Sequence, residues 1–96
     1  MSIFVLKPHK SIDKIQEEYN VEFSRDDLDT LVEITVKCSE IDNYEPLALA
    51  CLMLAKKYKV PDDKTMDFAN DLFRTITFYI RAIKKIDEMI GEGGGK

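Results

Sequence analysis

Few side chains in this 96-residue chain are of a kind that does chemistry alone. His9 is the only histidine and stands beside Pro8, so an acid–base pair or a zinc site built on it needs partners that the neighbouring sequence does not supply. Cys38 and Cys51 lie thirteen positions apart in apolar surroundings, without the close-spaced pairs of metal sites and redox motifs. They read as small buried hydrophobes in a reducing compartment. Two acidic groups remain, Asp26, Asp27 and Asp29, and Asp62, Asp63 and Asp67. Either could offer carboxylates to magnesium, but each falls at an expected helix start, where the helix dipole favours acids without any metal. No catalytic residue, metal ligand or cofactor follows from these groups, and the expectation is a chain that is not an enzyme.

One enzyme family is worth setting beside this reading. Asn70-Asp71-Leu72-Phe73 and Phe78-Tyr79-Ile80, with Glu17, Glu18 and Glu22 upstream, resemble the all-α nucleotide pyrophosphohydrolases. That resemblance implies helices that present paired acids to magnesium. Phe68 stands where the family's motif would place a glutamate ahead of Asp71, and the upstream acids depart from its spacing. Leu47 to Tyr58 is similar to the central helix of a cyclin box over twelve residues, a likeness that any enclosed helix of a small bundle would share. No family is assigned from either stretch.

The elements that must hold these residues follow from apolar spacing and helix punctuation. Ile3, Phe4 and Val5 ahead of Lys7-Pro8 suit a short extended arm over 2–7. Ile12, Ile15 and Tyr19 are spaced by three and four and predict a short helix between Pro8 and Asn20, with Ser11 or a residue near Pro8 as its start and Asn20 as a left-handed stop. Ser24-Arg25-Asp26-Asp27 resembles a capping box and starts a second helix. Within it Val32 to Cys38 alternates apolar and polar as a strand would, while Leu28, Leu31, Val32, Thr35 and Cys38 keep the helical period. The cap adds a mechanism to the helical template, so helix is the expectation. Pro46 fits the first turn of a third helix over 45–59, and Lys56, Lys57 and Lys59 suit its negative end. Its nine consecutive apolar residues, Leu47 to Ala55, are about half of the ~20 that a membrane span requires. Such a run predicts a helix enclosed by others at the centre of the bundle.

Pro61-Asp62-Asp63 opens a last helix that meets no glycine or proline before Gly91. Met66, Ala69, Phe73, Ile76, Ile80, Ile83, Asp87 and Ile90 form one stripe along it, and Phe68, Leu72, Thr75, Tyr79, Ala82, Ile86 and Met89 form a second beside the first. About thirty residues of helix reach roughly 45 Å, whereas a compact domain of this length is roughly 30 Å across. The helix must therefore bend near Thr75-Ile76-Thr77 or have part of its apolar face covered by another chain. The residues from 91 to 96 read as a flexible glycine-rich tail after a single domain over 1–90.

Charge narrows the partners. The net charge of −4 divides into −6 over residues 1–48 and +2 over residues 49–96, so only the second half could meet phosphate. A helix-turn-helix reading of 24–58 fails because its second helix is apolar where base contacts would be needed. Nucleic acid is thus a secondary reading, carried by Arg74, Arg81, Lys84 and Lys85. With Phe78 these residues make up the polar side of the last helix, and an aromatic set among arginines has the composition of a protein interface.

The expectation is an all-α bundle of about four helices with a long C-terminal helix. Its expected function is a cytosolic, acidic, non-enzymatic protein-interaction module: an adaptor, regulator or inhibitor of another protein. It binds through Arg74, Phe78, Arg81, Lys84 and Lys85 and forms a homodimer through the long helix, with no membrane contact. Small acidic chains of this sort also occur as virus-encoded modulators of host proteins. The apolar run before Lys7 is too short for the core of a signal peptide.

Overall fold

The computed structural model describes the backbone of residues 9–94 and the side chains of residues 9–90. The expected arm over 2–7 lies outside the described residues, as do the side chains of the expected tail over 91–96. Four α-helices follow in order, α1 (Ile12–Tyr19), α2 (Arg25–Ile41), α3 (Glu45–Lys57) and α4 (Thr65–Gly94), with a 3-10 turn at Asp62–Lys64 leading into the last. No strand occurs among the described residues, so the helical period of α2 prevails over its local alternation.

The punctuation works as the side chains require. Ser11 caps α1 by accepting from the Lys14 amide at 3.0 Å, and Asn20 closes it at φ 55°. Asparagine tolerates the left-handed region better than most residues do. Ser24 caps α2 by accepting from the Asp27 amide at 3.1 Å. The other half of the expected capping box is absent, because Asp27 turns to α3 instead. It accepts from Lys57 Nζ at 2.8 Å and from the Tyr58 hydroxyl, while Tyr58 Oη in turn accepts from the Ser24 amide at 3.0 Å. These bonds tie the start of α2 to the end of α3. The lysine and then the tyrosine hold the Asp27 carboxyl below the usual carboxylate range.

Among the described residues packing places α4, rather than α3, at the centre: α4 lies against α1, α2, α3 and the 3-10 turn, whereas of these elements α3 packs only along α2 and α4. Ile15, Leu31, Leu47, Cys51, Phe68 and Leu72 meet in the core. Phe68 receives the edges of its neighbours there, with Tyr19 at 5.2 Å between ring centroids in a T-shaped pair. The apolar run of α3 is buried on one side only. Leu49 is 55% exposed and Met53 71% exposed, so the expectation of an enclosed helix fails on that face. Three other helices are too few to surround α3 while also covering both stripes of α4. Cys38 and Cys51 are free and buried, and burial pushes the Cys51 thiol up to about 12.

Thr35 and Thr77, both buried within helices, donate to the carbonyls of Leu31 and Phe73 at 2.7 and 2.8 Å. The helix α4 runs unbroken past Thr75-Ile76-Thr77, where a bend was one expectation. The longest extent of the molecule, 50 Å against 26 and 22 Å, matches the roughly 45 Å of a thirty-residue helix. From Arg81 to Ile90 the side chains of α4 are exposed apart from the half-buried Ala82, and only the end of α2 still reaches this stretch, where Ser39 accepts from Lys84.

Candidate functional site

The five residues expected to bind a partner divide into separate places on α4. Arg74, Phe78 and Arg81 come together with His9, Phe73 and Thr77 around a cleft of about 300 Å³. The two arginines are exposed, Phe78 is half-buried, and the Phe78 ring meets Tyr79 edge-on at 5.6 Å. Neither guanidinium has a carboxylate within ion-pairing distance among the described residues. Lys84 lies on a different side, where its ammonium donates to Ser39 Oγ of α2 at 3.0 Å. There it borders a groove of about 300 Å³ with Val36, Ile80, Ile83 and Asp87. Lys85 is exposed and borders neither.

His9 reaches the arginine cleft because Asp71 fastens it. Asp71 is only 7% exposed, and its carboxylate accepts from His9 Nε2 at 2.5 Å, Lys10 Nζ at 2.9 Å and the Tyr19 hydroxyl at 2.7 Å. Lys10 also donates to Glu18 at 2.7 Å, and its carbonyl accepts from Thr75 Oγ1 at 2.9 Å. Burial opposes ionisation of Asp71, but the bonds from His9, Lys10 and Tyr19 outweigh it and bring its pKa down to about 2. Burial and then the bond to this carboxylate lift the Tyr19 phenol to about 12. Bonds to Glu18 and then Asp71 raise the Lys10 ammonium as well. The cluster thus clamps the segment before α1 against the first half of α4, one turn before the arginines of the cleft.

This polar cluster was not foreseen from the sequence, because its members lie up to 62 positions apart. The one signal available was an aspartate flanked by Phe68, Leu72 and Thr75 on a helix whose neighbouring positions turn inward. The acids named with it do not join it as a paired set. Glu18 reaches Lys10, and Glu17 is exposed beside Lys14 at 3.8 Å. Among the described residues, no group of three or more His, Cys, Asp or Glu side chains is placed to hold a metal ion.

Among the described residues, no helix is long and apolar enough to cross a membrane. Comparison with family models, curated proteins and solved structures found no match to this chain.

Proposed function

We propose that this chain is a non-enzymatic protein-interaction module, an adaptor, regulator or inhibitor that works by binding another protein and that self-associates through α4. The observation that carries the reading is the fate of the α4 stripe. Its members Phe68, Leu72 and Ile76 are buried by the bundle, and the same side continues as exposed Tyr79, Ile83, Ile86, Met89 and Ile90. Contiguous apolar surface of that kind marks an interaction site in a folded chain. The arginine cleft lies on another side of the same helix, so self-association and partner capture can use separate surfaces. Two guanidiniums around an aromatic ring suit a partner that presents carboxylates. Against the pyrophosphohydrolase resemblance stands Asp71, whose oxygens are taken by three donors within the fold.

Affinity capture from the native source tests the reading. The unmodified chain is expected to retain a defined protein, and Arg74→Ala with Arg81→Ala to lose it while thermal stability changes little, because both side chains are exposed. Equal capture by both forms overturns the assignment of the cleft. Magnesium-dependent nucleotide hydrolysis that disappears in Asp71→Ala would replace the reading with an enzymatic one.

A further inference from the structure

The exposed stripe of α4 has a definite geometry. Tyr79, Ile83, Ile86 and Ile90 are spaced four, three and four, which is the seam of a coiled coil, and they continue the side on which Phe68, Leu72 and Ile76 are buried. Their exposures are 41%, 55%, 47% and 65%, and Met89 beside them is 58% exposed. Such side chains leave on the order of 500 Å² open per copy, near the upper end for the largest patch of a monomer. Two copies meeting through it would cover on the order of 1,000 Å² of apolar surface before any polar rim is counted, which reaches the size of a specific interface.

Resting on the self-association proposed above, we infer that the occupant of this seam is the same segment of a second copy, lying antiparallel about a two-fold axis near residues 84 and 85. Direction follows from what already covers α4. The seam lies on the side of α4 that α1, α2 and α3 occupy upstream. A parallel partner held in register along the helix would collide with those three helices, since paired helices run only about 8 to 10 Å apart. An antiparallel partner covers the exposed seam from Tyr79 to Ile90, beside the end of α2, and carries its own bundle past the far end. The rungs then match as Tyr79 against Ile90 and Ile83 against Ile86 of the second copy.

Sedimentation of the full chain at high micromolar concentration, combined with cysteine cross-linking, tests the inference. The unmodified chain is expected to sediment as a dimer. Ile83→Glu, exposed in the single copy and therefore compatible with folding, is expected to weaken association by about a hundredfold or more. Tyr79→Cys and Ile90→Cys, made separately and oxidised after mixing, should give a disulfide between the two variants and little within either. The native cysteines stay out of the reaction because both are buried. Cross-linking within each variant alone, or a chain that sediments as a monomer, overturns the inference. Partner capture that depends on Arg74 and Arg81 would still uphold the interaction module in that case. A dimer whose capture ignores those arginines would uphold the pairing and reject the cleft.

Discussion

The two halves of α4 carry the same pattern and meet opposite fates. From Thr65 to Thr77 its apolar stripes contribute Phe68, Ala69, Leu72 and Ile76 to the core, whereas from Tyr79 to Ile90 stripes of the same period stand in the open. Period alone therefore says that a helix has a face to cover, and the number of neighbouring helices decides how far the cover extends. The polar sides differ as well. The first half holds Asp71 in a clamp of three donors, whereas Arg74, a turn further along, and Arg81 in the second half stand without ion-pair partners among the described residues.

The sharpest way to break this comparison is to shorten one side chain in each half. Phe68→Ala should cost about 3 to 5 kcal/mol in chemical denaturation, because the ring is fully buried among Tyr19 and Phe23. Met89→Ala, measured at a concentration low enough to keep the chain monomeric, should stay within about 0.5 kcal/mol. Similar losses at both positions would mean that the second half is packed within a single copy.

Asp71 gives the next largest effect. Asp71→Ala leaves Lys10, His9 and Tyr19 without their shared acceptor and should cost about 2 kcal/mol or more. The acid dependence follows from its low folded pKa. With a value of about 2 when folded against 3.8 ordinarily, the carboxyl contributes its full stabilisation above about pH 5. That contribution, about 2 kcal/mol, is lost as pH falls from about 4 to about 2, because the unfolded chain takes up its proton first. A pH series of unfolding free energies on the native chain and Asp71→Asn should show this part of the slope disappear in the variant.

Smaller differences separate two alanines of α3. Ala55 is fully buried, so Ala55→Leu should overpack the core by about 1 to 3 kcal/mol. Ala48 is half-buried and borders an apolar surface cleft of about 200 Å³ with Leu52, Met66 and Phe73, where a leucine has room to settle. Thermal denaturation of Ala48→Leu should fall close to the native curve. The smallest effect belongs to the surface pair Arg25 and Asp29, 3.7 Å apart with both side chains largely exposed. Arg25→Ala should shift stability by no more than about 0.5 kcal/mol.

Much of the fold was legible because it is written in short-range chemistry. Ser11, Asn20, Ser24 and Pro46 mark helix ends through bonds or backbone restraints that act within a few residues. The 3-and-4 spacing of Leu28, Leu31, Thr35 and Cys38 outweighed a local strand-like alternation. The apolar run of α3 misled in one respect, since composition reports what could be buried and not how many neighbours are present to bury it. Of the candidate site, Arg74, Phe78 and Arg81 were legible from their place opposite the stripes. Their neighbour His9 and the separate engagement of Lys84 with Ser39 were not.

By itself the sequence determined four helices, the starts of the second and third, and the presence of a basic and aromatic side on the long last one, whose α-helical start lies at Thr65 after a 3-10 turn rather than at Pro61. These depend on periodicity, caps and charge, which are properties of neighbouring residues. Only the tertiary structure decided that α4 is the central element, that Asp71 gathers His9, Lys10 and Tyr19, and where along α4 its cover ends. Those outcomes depend on which distant side chains can reach one another once three short helices have packed around one long one.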